Sequence, residues 1–103
     1  LEKKIQPSRV IVGKAFPNPT SGVTSIAFSL PEQNTATNVS LEVFDLMGKK
    51  ITTLVKGVLA PGFYVAEWDT NMNNVTEGLY VCRLIVAGEE KQEIVSEKIV
   101  VKR

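Results

Sequence analysis

The side chains that could do chemistry in this 103-residue chain are few. There is one thiol, Cys82, and no histidine, so a Ser or Cys nucleophile would need a Lys or a carboxylate as its base. A lone Cys can neither close an intrachain disulfide nor build a zinc cage. The paired carboxylates Glu89 and Glu90 follow Gly88 in a predicted hairpin turn, where solvation is their ordinary role. Asp45 and Asp69 stand at the ends of predicted strands. The run Asp69-Thr70-Asn71-Met72-Asn73-Asn74 opens like a calcium loop, but such a loop needs Gly at its sixth position and Glu at its twelfth. Those places hold Asn74 and Tyr80, so the run reads as a polar connection whose side chains satisfy turn backbone. No Gly-rich phosphate loop is present. The residues predict no catalytic site, no cofactor and no metal.

Charge narrows the partners. Twelve basic residues stand against 11 acidic ones, for a net charge of +1. Nucleic-acid binding draws on a surplus of Lys and Arg to displace phosphate counterions, and that surplus is missing here. No stretch approaches the roughly 20 apolar residues of a membrane helix. The opening Leu1-Glu2-Lys3-Lys4-Ile5 has charge with no apolar run behind it, so no signal peptide is predicted there. Asn38-Val39-Ser40 and Asn74-Val75-Thr76 match the glycosylation acceptor, which matters only in a eukaryotic secretory pathway. The length suits one domain able to bury roughly two-thirds of its unfolded surface without metals or disulfides.

The elements that must position these residues follow a period of two between turn signals. Residues 1–8 read as a linker or frayed end, and residues 9–103 as one domain. Arg9 to Lys14 predicts a first short strand, with Val10 and Val12 on one face. Phe16-Pro17-Asn18-Pro19-Thr20-Ser21-Gly22 then breaks it. Its prolines remove two backbone donors, so it must run extended along an edge, and Gly22 is assigned the permissive φ that re-aims the chain. Val23 to Leu30 alternates Ile26, Phe28 and Leu30 inward. Pro31 to Asn38 is a polar loop, and Val39, Leu41 and Val43 form the next inward face.

Asp45-Leu46-Met47-Gly48 is a tight turn, followed by a strand over Ile51 to Val55. Ala60-Pro61-Gly62-Phe63 has the chemistry of a type II turn. Tyr64, Ala66 and Trp68 share one face, as do Tyr80, Cys82 and Leu84. The final segment, through Ile94 and Val95 to Ile99, Val100 and Val101, is rich in Glu and Lys, yet its β-branched residues favour a strand. Seven strands and no helix predict an all-β, Ig-like or fibronectin-like antiparallel sandwich. Its core centres on Trp68, Tyr80, Phe28, Leu41, Val43 and Leu84. Tyr80-Val81-Cys82 has the spacing of the Ig tyrosine corner. With no second Cys to pair with, it is read as a buried Tyr beside a small apolar Cys, and Trp68 as a core plug rather than a sugar platform.

The motifs also come in a telling order. Phe16-Pro17-Asn18-Pro19-Thr20-Ser21-Gly22 is similar to the aromatic-Pro-Asn-Pro opening of the type A C-terminal sorting domains of type IX secretion cargo. Ile26-Ala27-Phe28-Ser29-Leu30-Pro31 follows it. Val39-Ser40-Leu41-Glu42-Val43-Phe44-Asp45-Leu46-Met47-Gly48 resembles the family's Val-x-Leu-x-Val-aromatic-Asp-x-x-Gly block. Leu59-Ala60-Pro61-Gly62 and Trp68-Asp69 resemble its Ala-Gly turn and Trp-Asp pair. Gly78-Leu79-Tyr80-Val81-Cys82-Arg83-Leu84 resembles its Gly-hydrophobic-Tyr-x-x-Arg-Leu strand, and Lys98-Ile99-Val100-Val101-Lys102-Arg103 its basic-flanked apolar terminus. The likeness spans about residues 10–103. Pro61 stands where Ala is usual and Cys82 where an aromatic is common. Ig-like domains of flagellar-hook capping proteins and accessory domains of secreted hydrolases share much of the pattern.

The resemblance implies a non-catalytic passenger module at the C-terminus of a larger cargo protein. It implies recognition by an outer-membrane translocon and a surface sortase, with delivery through the periplasm of a Gram-negative bacterium to the medium or cell surface. Recognition would lie in exposed strand edges and in Lys98 to Arg103. The rival reading is a structural or carbohydrate-binding sandwich within an extracellular enzyme.

Overall fold

The computed structural model describes residues 10–31, 37–88 and 92–103. The linker read at 1–8 and the Glu89-Glu90 turn lie outside them. Seven strands form among the described residues: β1 Ile11–Val12, β2 Val23–Leu30, β3 Thr37–Asp45, β4 Lys50–Leu59, β5 Gly62–Asp69, β6 Gly78–Ala87 and β7 Gln92–Val101. They make two antiparallel sheets, β1-β2-β5 and β4-β3-β6-β7, packed as a sandwich.

The period of two decides which residues meet in the middle. From the three-stranded sheet come Ile26, Phe28 and Trp68, at 0 to 3% exposure. From the four-stranded sheet come Leu41, Val43, Cys82, Leu84, Ile99 and Val101, at 0 or 1%. Trp68 meets Tyr80 edge-on across the sandwich, with ring centroids 5.4 Å apart, and Phe28 stacks on Tyr64 at 5.2 Å. The indole Nε1 of Trp68 has no hydrogen-bond partner among the described residues, so packing alone holds the ring. Truncating a buried ring of this kind costs about 3–5 kcal/mol, a large part of a small domain's stability.

Four expectations need correction. Of the strand expected from Arg9 to Lys14, Arg9 lies outside the described residues and β1 covers Ile11 and Val12, opposite Ser29 and Phe28. β4 runs on to Leu59 instead of stopping at Val55, because Gly57 keeps its place in the ladder opposite Val39. Ala60 to Phe63 is not a type II turn. Gly62 has φ 148°, far from the roughly +80° of that turn, because pairing with Leu30 draws it into β5. Gly22 has no positive φ. What it supplies is its carbonyl, which accepts from both the N–H and the Oγ1 of Thr70, at 3.1 and 2.7 Å.

The Asp45 turn forms as expected. Asp45 Oδ1 accepts from the N–H groups of Met47 and Lys49, each at 2.9 Å, while Gly48 takes φ 87°, a conformation glycine enters without steric cost.

Candidate functional site

The register gathers one end of the sandwich. Asp45 lies opposite Tyr80, Gly78 opposite Val101 and Val23 opposite Asp69. The Pro-Asn-Pro segment, the Asp45 turn, the Asp69 loop and the last residues of β7 therefore share a pole.

The Pro-Asn-Pro segment lies along the outer edge of β7. The peptide bonds preceding Pro17 and Pro19 are both cis. Asn18 does what a strand's peptide group would do: its Nδ2 donates to the Lys98 carbonyl at 3.1 Å, and its Oδ1 accepts from the Val100 N–H at 2.8 Å. Thr20 continues with its own backbone, donating to the Val100 carbonyl and accepting from the Lys102 N–H, each at 2.9 Å. On the opposite side the segment joins the other sheet: Phe16 pairs with Ser25, and Thr24 Oγ1 donates to the Pro17 carbonyl at 2.7 Å. Pro17, Asn18 and Pro19 thus bridge the two sheets along one flank.

Arg103 completes the pole. Its Nη1 donates to the Ser21 carbonyl at 3.0 Å, to Thr70 Oγ1 at 3.0 Å and to Asn71 Oδ1 at 3.3 Å. Its Nη2 donates to the carbonyls of Thr70 and Val75, at 2.5 and 2.7 Å. Its backbone N–H meets Glu77 Oε1 at 2.7 Å. A planar fork of donors suits this task, which a lysine could not duplicate. The loop that receives it is pre-shaped. Asp69 Oδ1 accepts from the Asn71 N–H at 2.9 Å, Asn73 and Asn74 take φ 62° and 53°, and Val75 turns into the core. Asn tolerates that left-handed region better than most residues.

Tyr80 roots the loop from below. Its hydroxyl donates to the Thr76 carbonyl at 2.7 Å. This is the tyrosine corner that the missing Cys partner had argued against. The motif needs only an upstream carbonyl, so the core reading of Tyr80 and Cys82 holds and the dismissal of the corner does not. Tyr64 repeats it at the start of β5, donating to the Ala60 carbonyl at 2.5 Å.

Of the expected motif residues, Pro17, Asn18, Pro19, Gly22, Asp69, Gly78 and the run Lys98–Arg103 come together here. Trp68 and Tyr80 lie beneath, and Asp45 and Gly48 are on the neighbouring turn. Gly62 sits at the opposite pole against Leu30. Arg83 is mid-strand on the outer face, its guanidinium 4.6 Å above the Phe44 ring. Within the terminal run, Ile99 and Val101 are buried, while Lys98, Val100 and Lys102 face solvent. Arg103 is exposed as well, while its guanidinium donates to the Ser21 carbonyl and to the loop of residues 70–75. Sequence reasoning missed Thr20 and Thr70, buried at 2 and 0%. Only the place of Thr20 beside Pro19 hinted at its role.

The titratable side chains at this pole serve the fold. The Asp45 and Asp69 carboxylates cap turns. Burial, with a smaller contribution from Glu97, pushes the Cys82 thiol from 9.0 up to about 12, so it stays protonated at neutral pH. Trp68, 1% exposed, cannot stack on a sugar. Among the described residues, no three His, Cys, Asp or Glu side chains come together as metal ligands.

No curated protein matches the chain. The crystal structure of dimeric latent PorU from Porphyromonas gingivalis is similar in fold, with a TM-score of 0.68 at 20% identity over 89% of this chain and 9% of that one. The chain thus corresponds to a small part of that protein. Residues 14–102 match the family model described as the secretion system C-terminal sorting domain. That span runs from just before the Pro-Asn-Pro segment through the end of β7, so this chain belongs to the family of C-terminal sorting domains of type IX secretion.

Proposed function

We propose that the export machinery reads this module at the pole where β7 ends, through the outward side chains of Lys98, Val100 and Lys102. The observation that carries the reading is convergence. The family's opening motif is spent on holding the end of β7 in place, through Asn18 and Thr20, and the strand so held presents two cations beside an apolar side chain. An edge fixed in this way offers a receptor a rigid pattern of alternate side chains, the element of specificity in strand recognition. The module itself is acted upon and carries no catalytic residue. Its cargo precedes it in the parent protein. The outer-membrane translocon and then a surface sortase handle it, after passage through the periplasm of a Gram-negative bacterium, and the product is secreted or displayed.

The test fuses the chain behind a fluorescent reporter in a bacterium with a type IX system and compares medium, surface and periplasm. The intact fusion should be exported. The pair Lys98→Glu and Lys102→Glu should keep its melting temperature, since exposed charge pairs contribute about 0–1 kcal/mol, yet lose export. If the intact fusion stays periplasmic while an established sorting domain exports the same reporter, the sorting reading fails. A structural or carbohydrate-binding accessory module then takes its place.

A further inference from the structure

A sheet edge exposes unpaired N–H and C=O groups, and proteins usually blunt it with Lys, Pro, a bulge or a cover. On one flank the Pro-Asn-Pro segment is the cover. The other flank carries β4 and β5. β4 is blunted: it bears Lys50 and Lys56, and its register with β3 shifts at Leu41/Glu42 and again at Val43/Phe44. β5 is not. It pairs with β2 over eight residues without a shift, and Gly62–Asp69 contains no Lys, Arg or Pro.

The direction of its free groups can be read from neighbouring bonds. Gly13 N–H donates to the Ala27 carbonyl and Ser25 N–H to the Phe16 carbonyl, so odd-numbered residues of β2 face away from β5. Thr70 N–H donates to Gly22, which continues the even-numbered ladder between β2 and β5. Phe63, Val65 and Glu67 therefore aim their backbone groups outward, and no backbone partner for them occurs among the described residues. Phe63 and Val65 are also 66% and 70% exposed.

We infer that this edge pairs with itself: two copies of the chain join antiparallel through β5, about a twofold axis at Tyr64. Such an axis makes a self-complementary contact, and the residue pairing depends on where it falls. An axis at Glu67 would set the two Glu67 carboxylates against each other, and like charges directly opposite are unfavourable. An axis at Val65 would set Phe63 against Glu67 of the second copy. With the axis at Tyr64, Phe63 faces Val65 of the second copy on both sides. That is an aromatic against a β-branched residue, a favoured cross-strand pair, and Glu67 falls beyond the strand opposite Pro61. The outward groups of residues 63 and 65 then bond each other, and the two three-stranded sheets become one sheet of six. This inference stands apart from the sorting reading.

The test is sedimentation of the 103-residue chain from micromolar to millimolar concentration, with hydrogen exchange resolved by residue. Dimer should form as concentration rises, and the amides of Phe63 and Val65 should gain protection in step with it. Val65→Pro removes an N–H that points to solvent in the single copy, a position where an edge strand tolerates proline. Val65→Lys places a charge on an already exposed side chain. Both variants should remain monomeric, with Val65→Lys keeping the wild-type melting temperature. A wild-type chain that is monomeric at millimolar concentration, with those two amides exchanging freely, overturns the inference and leaves the edge to a strand of another protein. So does a dimer that persists unchanged in both variants.

Discussion

Along the flank of β1 and β7, an irregular segment with two prolines lies where a strand would be, and one asparagine side chain stands in for a peptide group. Along the flank of β4 and β5, no strand among the described residues pairs with the outer edge of β5, and its neighbour β4 relies on lysines and register shifts. The two flanks close the same kind of sheet on the same core. The difference is in what each demands of the sequence. Sealing an edge with side chains needs specific residues at specific places, so that flank carries most of the family's motif. Leaving an edge open needs only that nothing obstruct it, and the residues there form no motif.

The contrast breaks if the sealed flank proves as tolerant of substitution as the open one. The largest effect is expected at Arg103, where the guanidinium serves five acceptors on two segments. Arg103→Ala should lower stability in urea by about 1.5–3 kcal/mol, the range for hydrogen bonds to a charged group. Arg103→Lys should recover only part of this, since a point charge cannot fill the fork. Asn18 comes next. Asn18→Ala should cost about 1–2 kcal/mol for its two bonds. Asn18→Asp should cost at least as much, because a carboxylate keeps the acceptor for Val100 but turns an oxygen toward the Lys98 carbonyl. Val65→Lys on the open flank should change stability in urea by no more than about 0.5 kcal/mol.

The core that both flanks share carries an effect that is nil at neutral pH and appears only in alkali. Cys82 ionises near 9.0 when unfolded but only near 12 in the fold, where burial, and secondarily Glu97, hold the proton on. In that window the unfolded state binds fewer protons, so stability falls as pH rises from about 9 towards 12 and is unaffected below it. Melting curves of wild type and Cys82→Val should run parallel below pH 9 and diverge above, with the wild type losing more. A thiol reagent should label Cys82 only in urea.

What was legible in the sequence was whatever repeats or punctuates. Ile26, Phe28 and Leu30 declared β2 to the residue, and Asp45 and Gly48 declared their turn through side-chain chemistry. What was not legible depends on backbone atoms that every residue shares. The acceptors of Arg103 are mostly carbonyls, and no residue type marks a carbonyl as the one that will be met. Tyr80 shows the same limit: its corner was judged by a missing Cys, although the bond that defines it runs to the backbone of Thr76. The buried Thr70, with no apolar neighbour in its loop before Met72, gave no signal.

The bonds from Asn18 to Lys98 and Val100 join residues 80 and 82 positions apart. In sequence, β3 and β4, and likewise β6 and β7, are separated by only a handful of residues. Closing a long loop costs chain entropy before any bond repays it, and sandwiches dominated by such distant pairings fold in milliseconds to seconds. The flank should therefore be the last part of the molecule to assemble, after the local hairpins have formed. Until it does, the outer edge of β7 at Lys98–Lys102 is uncovered. A partner that engages that edge in the nascent module meets backbone groups which the finished fold has already given to Asn18 and Thr20.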